Sequence, residues 1–130
     1  MIIDSSVIVA VLHGEPDADH WMTRLRSEFG RLPMSAATYV EAAAVLDRAR
    51  SPVVSRTFDL FLETFGVEIC PVTIEQAQIA REAYRDFGRG SGHRANLNFV
   101  DCFSYALAED RREGLMFKGD HFVHTDLGPR

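Results

Sequence analysis

The sequence contains few cysteines and no long apolar run, and these absences exclude several classes of protein. Its two cysteines, Cys70 and Cys102, are far apart, outside any CxxC motif and without histidines at the spacing of a zinc site. We therefore expect buried free thiols, which suit a reducing cytoplasm. No apolar run approaches the roughly 20 residues of a membrane span, and the first residues lack the pattern of a signal peptide. We expect a soluble cytoplasmic protein with no membrane segment.

Positive charge is also scarce. Fourteen Lys and Arg residues against nineteen Asp and Glu residues give a formal net charge of −5. This excludes a protein that binds nucleic acid by bulk positive charge, but not one that reaches a phosphate backbone through bound cations. The 130 residues, 46% hydrophobic and 25% charged, are typical of one globular domain, predicted to span residues 1–130.

Short apolar runs alternate with helical segments along the chain, and this alternation predicts an α/β protein. The strands are too short and too apolar to leave one face in water, so we expect a three-layer α/β/α fold around a central, mostly parallel sheet of four to five strands. Ligands of such sheets bind just beyond the carboxyl ends of the strands. Strands are predicted at residues 2–3, 32–34, 67–70 and 115–117, and helices at 17–29, 36–50, 52–65 and 74–87. Two more helices are predicted, one capped by Ser5 or Ser6 and running to Leu12, and one capped by Asn98 and running to about residue 113.

Two acids directly follow predicted strands. Asp4 ends the first strand and Asp120 follows the fourth, so a parallel sheet would bring them to the same edge. Each also has an ordinary explanation, since Asp4 can interact with a helix N-terminus and Asp120 can stabilise a turn beside a glycine.

Two further acids lie within apolar helices. Glu41 is the only charged residue between Ser35 and Leu46, so its helix should be largely buried and its carboxylate would need a cation or a proton. The alternative is a narrow solvent-facing stripe that Glu41 forms with Arg48. Asp101 lies in the first turn of an apolar helix, where it either closes a capping box with Asn98 or shares a functional face with Asn98 and Tyr105.

Considered together, these four acids predict a metal site. Carboxylates that meet at one end of a sheet would repel one another by several kcal/mol unless a divalent cation neutralised them. Oxygen ligands suit Mg²⁺ or Mn²⁺, which can activate water for hydrolysis of a phosphodiester. Metal-assisted phosphodiester hydrolysis is the predicted chemistry.

Five segments in order along the chain resemble the PIN domain, and closely the VapC toxins of bacterial toxin–antitoxin pairs. The stretch Asn98-Phe-Val-Asp-Cys-Phe-Ser-Tyr-Ala106 is the most specific. The resemblance implies a metal-dependent endoribonuclease that cuts structured RNA, such as transfer or ribosomal RNA, and stops translation. It also implies a VapB-type antitoxin, a toxin homodimer and a toxin–antitoxin hetero-oligomer. The matching segments are Met1–Ser6, Tyr39–Glu41, Leu97–Ala108, Leu115–Asp120 and His124–Asp126.

The same resemblance implies roles for individual residues. Asp4, Glu41 and Asp101 correspond to metal-binding acids, and Ser6 to a supporting hydroxyl. For the fourth acid the choice is Asp120, with Asp126 in reserve, because this sequence has His121 where many relatives have a second acidic or amide residue.

A glycine-rich loop before the Asp101 helix is the predicted RNA contact. Residues 85–94 contain three arginines and one histidine against one aspartate. Phosphate contacts through this loop are the functional interpretation, and complementing a helix dipole is the alternative. The predicted RNA-binding residues are Arg85, Arg89, His93 and Arg94.

Two other classes of function compete with the nuclease. A phosphoacceptor signalling domain would need an aspartate at the end of the third strand, which residues 67–70 do not offer. A catalytically silent PIN-fold module that only binds proteins agrees with His121, whereas the intact Asp4, Glu41 and Asp101 favour an enzyme.

Overall fold

The computed structural model describes residues 1–127, so the last three residues of the predicted domain lie outside the described residues. A short 3-10 helix, Phe122–His124, follows the last strand. None of the helices within this range is long and apolar enough to cross a membrane. The strands are β1 (Ile2–Ile3), β2 (Leu32–Ser35), β3 (Val67–Cys70) and β4 (Leu115–Met116), and the helices are α1 (Ser5–Leu12), α2 (Ala18–Ser27), α3 (Ala36–Asp47), α4 (Pro52–Phe65), α5 (Ile74–Phe87) and α6 (Asp101–Arg111).

The strands pair in parallel, which confirms the predicted α/β class. β1 pairs with β4, with Ile2 opposite Leu115 and Ile3 opposite Met116, and β2 pairs with β3. The four strands of residues 1–127 form two hydrogen-bonded pairs, with β1 packed beside β2, where the prediction was a single sheet of four to five strands. β1 is two residues long, so it offers few backbone groups to a second neighbour.

Successive residues of β1 face two separate cores. Ile2 and Leu115 pack with residues of α5 and α6, whereas Ile3 and Met116 pack with residues of α1 to α4. Alternate side chains of a strand point to opposite faces, so a strand covered on both faces must be apolar throughout. This arrangement gives the three layers and leaves the ends of the strands as the place where polar groups collect.

Several local predictions differ from the structure: α6 begins at Asp101 with Val100 at its N-cap position, and α3 ends at Asp47. α1 is capped by Asp4, whose carboxylate accepts a hydrogen bond from the Ser6 backbone N–H, so the prediction of a Ser5 or Ser6 cap is wrong. α3 is not buried nearly all round: Thr38 and Ala42 face the interior, whereas Val40 is 61% exposed. The packing of α1, α4 and α6 on α3 leaves the Val40 side in contact with solvent.

Candidate functional site

Asp4 is held at the end of β1 by three hydrogen bonds to its side chain. The carboxylate is 3% exposed. Its Oδ2 atom accepts from the backbone N–H and the hydroxyl of Ser6, at 3.1 and 2.7 Å, and its Oδ1 atom accepts from the Ser104 hydroxyl at 2.6 Å. A buried carboxylate needs such donors, because desolvation without them costs several kcal/mol.

Ser6 also ties the end of β1 to the end of β4. Its hydroxyl donates to Asp4 and accepts a hydrogen bond of 3.0 Å from the backbone N–H of Lys118. The Lys118 ammonium forms ion pairs with Glu15 and Asp17 in the segment between α1 and α2. The predicted supporting hydroxyl therefore joins the first and last strands beside Asp4.

A buried chain of hydroxyls connects Asp4 to α3 and α6. Thr38 and Ser104 are fully buried, and their hydroxyl oxygens are 3.0 Å apart. Because the Ser104 hydrogen is donated to Asp4, the Thr38 hydroxyl must donate to Ser104. Thr38 lies one turn before Glu41 on α3, and Ser104 one turn after Asp101 on α6, so this chain holds the two acid-bearing helices next to Asp4.

Glu41 projects from α3 toward the start of α1. Its Oε1 atom accepts a hydrogen bond of 2.6 Å from the Ser5 hydroxyl. Burial raises the pKa of the Glu41 carboxyl, the Ser5 hydrogen bond partly offsets this, and the charges of Asp4 and Asp101 raise the pKa further. Glu41 therefore lies at the edge of the interior, close enough to two other acids to be affected by their charges.

Asp101 acts as both a capping residue and a member of this group. Its Oδ2 atom accepts from the Asn98 backbone N–H at 2.9 Å, and the Asn98 side chain accepts from the Asp101 N–H at 2.8 Å. The same Oδ2 atom is 2.7 Å from Nδ1 of His121. Burial raises the pKa of the Asp101 carboxyl, with a further rise from the charge of Asp4 and opposing effects from Asn98 and His121.

The structure thus brings together Asp4, Glu41 and Asp101, which we call the acid cluster. The three come from different elements, and the charges of Asp4 and Asp101 both act on Glu41. Among residues 1–127, no three His, Cys, Asp or Glu side chains already form a set that could hold a metal ion. The acid cluster nevertheless offers only carboxylate oxygens as metal ligands, and oxygen ligands fit Mg²⁺ or Mn²⁺. Two of its three carboxyl groups, those of Glu41 and Asp101, have raised pKa values.

The two candidates for the fourth acid, Asp120 and Asp126, differ in their surroundings. Asp120 is exposed in the turn after β4, and it is its neighbour His121 that contacts Asp101. Asp126 accepts a hydrogen bond of 2.8 Å from the Tyr105 hydroxyl. The predicted functional face combined Asn98, Asp101 and Tyr105. In the structure Asn98 bonds Asp101 of the acid cluster, whereas Tyr105 bonds Asp126.

The predicted RNA-binding residues differ in their surroundings. Arg85 is exposed and forms two hydrogen bonds to its neighbour Asp86, at 2.9 and 3.2 Å, so a carboxylate already pairs with its guanidinium. His93 supports the loop, because its Nδ1 atom accepts from the Ala95 backbone N–H and its ring packs edge-on against Phe87. Arg89 and Arg94 are exposed.

Sequence reasoning missed the hydroxyl groups that position the acids. The hydroxyls of Ser5 and Ser104 donate hydrogen bonds to acids, and Thr38 donates one to Ser104. The contact of His121 with Asp101 is likewise not predicted from the sequence. A signal was present, since Thr38 and Ser104 are polar residues in apolar helices, each three positions from an acid on the same face.

Comparison with known proteins gives a family match over almost the whole chain. A family model described as "PIN domain" matches residues 1–127. Ribonuclease VapC28 of Mycobacterium tuberculosis is 52% identical over 127 residues, which cover 98% of this chain and 95% of that protein. Ribonuclease VapC42 of the same species is 47% identical over 130 residues, which cover 99% and 98% of the two chains.

Solved structures show the same fold at lower sequence identity. The crystal structure of M. tuberculosis VapC20, described as a sarcin-ricin loop cleaving toxin, superposes with a TM-score of 0.76 at 18% identity, covering 99% of this chain and 98% of the other. A toxin–antitoxin complex from Klebsiella pneumoniae superposes with a TM-score of 0.73 at 14% identity, covering 97% and 92%.

Proposed function

Since this chain belongs to the PIN domain family, with VapC ribonucleases among its relatives at 43–52% identity, we propose that it is an endoribonuclease and the toxin of a toxin–antitoxin pair. The observation that carries the proposal is the acid cluster. Three carboxylates separated by up to 97 positions lie close enough for the charges of Asp4 and Asp101 to raise the pKa of Glu41. A cluster of this kind destabilises the fold, so its presence favours a functional role.

The proposed cofactor is Mg²⁺ or Mn²⁺, held by Asp4, Glu41 and Asp101. Such an ion would act as a Lewis acid toward a phosphodiester and lower the pKa of the attacking water. The protein contributes fixed ligand positions: Ser6 and Ser104 orient Asp4, Ser5 orients Glu41, and Asn98 and His121 orient Asp101. For the fourth acid we retain Asp120, because it adjoins His121 at the end of β4, over Asp126, which is bonded to Tyr105.

The proposed substrate is structured RNA, such as transfer or ribosomal RNA, whose cleavage would stop translation. Arg89 and Arg94 are exposed in the loop that leads to Asn98, so they can neutralise phosphates beside the acid cluster. Arg85 contributes less, because Asp86 already pairs with it.

We propose that the partner is a VapB-type antitoxin and that the toxin forms a homodimer and a hetero-oligomer with the antitoxin. The structural neighbour from K. pneumoniae is itself described as a toxin–antitoxin complex. The exposed Val40, next to Glu41 on α3, offers an apolar surface beside the acid cluster for such a partner. Both cysteines are free and buried, which suits the proposed cytoplasmic location.

The test compares RNA cleavage by the wild type, Asp4→Asn and Asp101→Asn, each with Mg²⁺ and with chelator. We expect loss of cleavage by at least about a hundredfold in both variants and in the chelator, because each removes ligand charge or the ion. Asp59→Asn, which changes an exposed acid on α4, is the matched control and should cleave like the wild type.

Two further variants in the same cleavage assay distinguish between the two candidates for the fourth acid. Asp120→Asn should reduce cleavage and Asp126→Asn should not. Equal activity of all variants with and without metal would refute the mechanism. Failure of the wild type to cut any RNA would instead favour the silent protein-binding module, a reading that agrees with the contact of a histidine with Asp101.

A further inference from the structure

Phe99 is an exposed aromatic side chain two residues before Asp101 of the acid cluster. Its side chain is 66% exposed, in the segment between Asn98 and Asp101. Asn98 and Asp101 exchange two hydrogen bonds across this segment, so the backbone on both sides of Phe99 is fixed. Exposure of a large apolar ring is unfavourable in an isolated protein, and a ring fixed beside a reactive site is a candidate ligand contact.

Two other aromatic rings hold Phe99 in place. The ring of Phe103, one turn along α6, meets Phe99 edge-on with ring centroids 5.2 Å apart. The ring of Tyr84 on α5 meets it edge-on at 6.4 Å and is itself 38% exposed. The contacts with Phe103 and Tyr84 restrict the position of the Phe99 ring. Because the side chain is 66% exposed, most of its surface remains accessible to a planar binding partner.

An exposed arginine lies in the segment that pairs with the chain leading to Phe99. The backbone N–H of Arg89 donates to the Leu97 carbonyl at 2.9 Å, and Gly88 and Leu97 form a parallel bridge. This pairing places Arg89 beside the strand of chain that leads into Phe99. An exposed arginine and an exposed aromatic ring therefore lie in adjoining segments of the chain that lead to Asp101.

We propose that Phe99 stacks against an unpaired base of the RNA substrate, next to the phosphodiester that the acid cluster attacks. The inference rests on the proposed ribonuclease function and adds a specificity-determining residue to it. Bases in a duplex are already stacked on one another, whereas an unpaired base can place its face on an aromatic side chain. Phe99 would then select looped or single-stranded RNA over duplex, while Arg89 binds the adjoining phosphate.

The test measures RNA binding without requiring cleavage. Glu41→Gln serves as the background, and a fluorescein-labelled unstructured oligoribonucleotide and the duplex made from it serve as probes in fluorescence anisotropy. Adding Phe99→Ala to this background should weaken binding of the unpaired RNA by about tenfold and change duplex binding by less than about twofold. Phe99→Trp should restore the binding of the unpaired RNA.

Phe29 provides a matched control. It is 63% exposed and meets Phe65 edge-on at 6.4 Å, much as Phe99 meets Tyr84. It precedes β2 near Arg31, whose carbonyl bonds the Met1 amine, and so lies at the amino ends of the strands, opposite the acid cluster. Phe29→Ala should leave both affinities unchanged.

Three results would overturn the inference. One is equal affinity of the Phe99→Ala and Phe29→Ala proteins for the unpaired RNA. Another is an equal loss of binding to both probes. The third is a change in oligomeric state by light scattering with RNA affinity unchanged, which would assign Phe99 to a protein interface. If Phe99-dependent binding is found but the wild type cuts no RNA, the proposed ribonuclease activity fails, and Phe99 is left as an RNA-binding contact without a role in cleavage.

Discussion

At the scale of single residues, short hydroxyl side chains allow this protein to bury acids. Asp4 receives hydrogen bonds from Ser6 and Ser104, and Glu41 receives one from Ser5. A serine hydroxyl brings a donor to a carboxylate without adding a charge, so the acids keep the negative charge that a divalent ion needs. A lysine or arginine in these places would satisfy the acids and remove the reason to bind a cation.

Replacement of Glu41 by Gln should change stability in a pH-dependent way. The pKa of Glu41 is raised above its ordinary value of 4.5, chiefly by burial. Protonated Glu41 therefore adds to the free energy of unfolding. This stabilisation is complete below the pKa of the unfolded state and is lost as the pH rises through the higher pKa of the folded state. In chelator, Glu41→Gln should be more stable than the wild type at pH 7 by at most about 1 kcal/mol, since the group is half-exposed. The difference should vanish below about pH 4.

Urea unfolding at a series of pH values measures this difference. Glu63→Gln changes an exposed glutamate on α4 and should leave stability within about 0.5 kcal/mol of the wild type at every pH. A wild type more stable than Glu41→Gln at pH 7 in chelator would show that the acid cluster does not strain the metal-free protein.

At the scale of elements, the residues of the acid cluster lie at or near the ends of helices and strands. Asp4 caps α1 while it joins the acid cluster, and Asp101 closes a capping box with Asn98 while it contacts His121. The capping interpretation of Asp101 is confirmed, and the same carboxylate is free to take part in a site because it also contacts His121. Helix N-termini favour negative charge, so these positions reduce the cost of placing the acids there.

A close contact between turns predicts an element-scale effect of Gly66→Ala. Gly66 ends α4 with a φ of +66°, and a Cβ atom there would lie 3.2 Å from the Gly30 Cα atom in the turn before β2. The substitution adds a crowded contact to the cost of a left-handed backbone, which is about 1–2 kcal/mol for a non-glycine residue. We expect Gly66→Ala to lower the free energy of unfolding by about 2 kcal/mol or more.

Gly14→Ala separates the two contributions to that loss. Gly14 has nearly the same φ, +63°, and a Cβ atom there would meet nothing within 4 Å. Urea denaturation should show a loss of about 1 kcal/mol for Gly14→Ala, clearly smaller than for Gly66→Ala. Equal losses would mean that the turns before β2 and β3 move apart without cost.

At the scale of the whole molecule, two cores on opposite faces of the strands bring distant segments together. The core with α5 and α6 contains both cysteines, which are 1–2% exposed. Burial, with a smaller effect of the Asp101 charge, raises the pKa of Cys102 to about 12, and burial also raises the pKa of Cys70. Both thiols therefore remain protonated and shielded while the fold is intact.

Thiol labelling should consequently report unfolding of the whole domain. At about pH 8 a chromogenic disulfide reagent should react slowly with the native protein, and two thiols should react at once in concentrated urea. The labelling rate should rise with urea in parallel with the loss of the helical circular dichroism signal. Immediate reaction of either thiol in native buffer would contradict the buried positions of Cys70 and Cys102.

Local features of the chain are enough to predict the kind of fold, the family and the candidate acids. Apolar periodicity and caps predicted β3 and α4 with their observed bounds, and the parallel α/β class and the resemblance to PIN domains are both confirmed. These features are local, because turn residues, caps and strand length act between neighbours in the chain. The roles assigned to the site residues stay predictions.

The contacts between distant side chains, in contrast, depend on how the elements pack. Ser104 bonds Asp4, which is 100 positions away in the sequence. His121 contacts Asp101, and Asp126 accepts a hydrogen bond from Tyr105. No local pattern encodes such pairs, because they depend on how β1 and β4 align and how α3 and α6 pack beside them. Burial, which raises the pKa values of Glu41 and Asp101, is likewise a property of the packed molecule rather than of any segment.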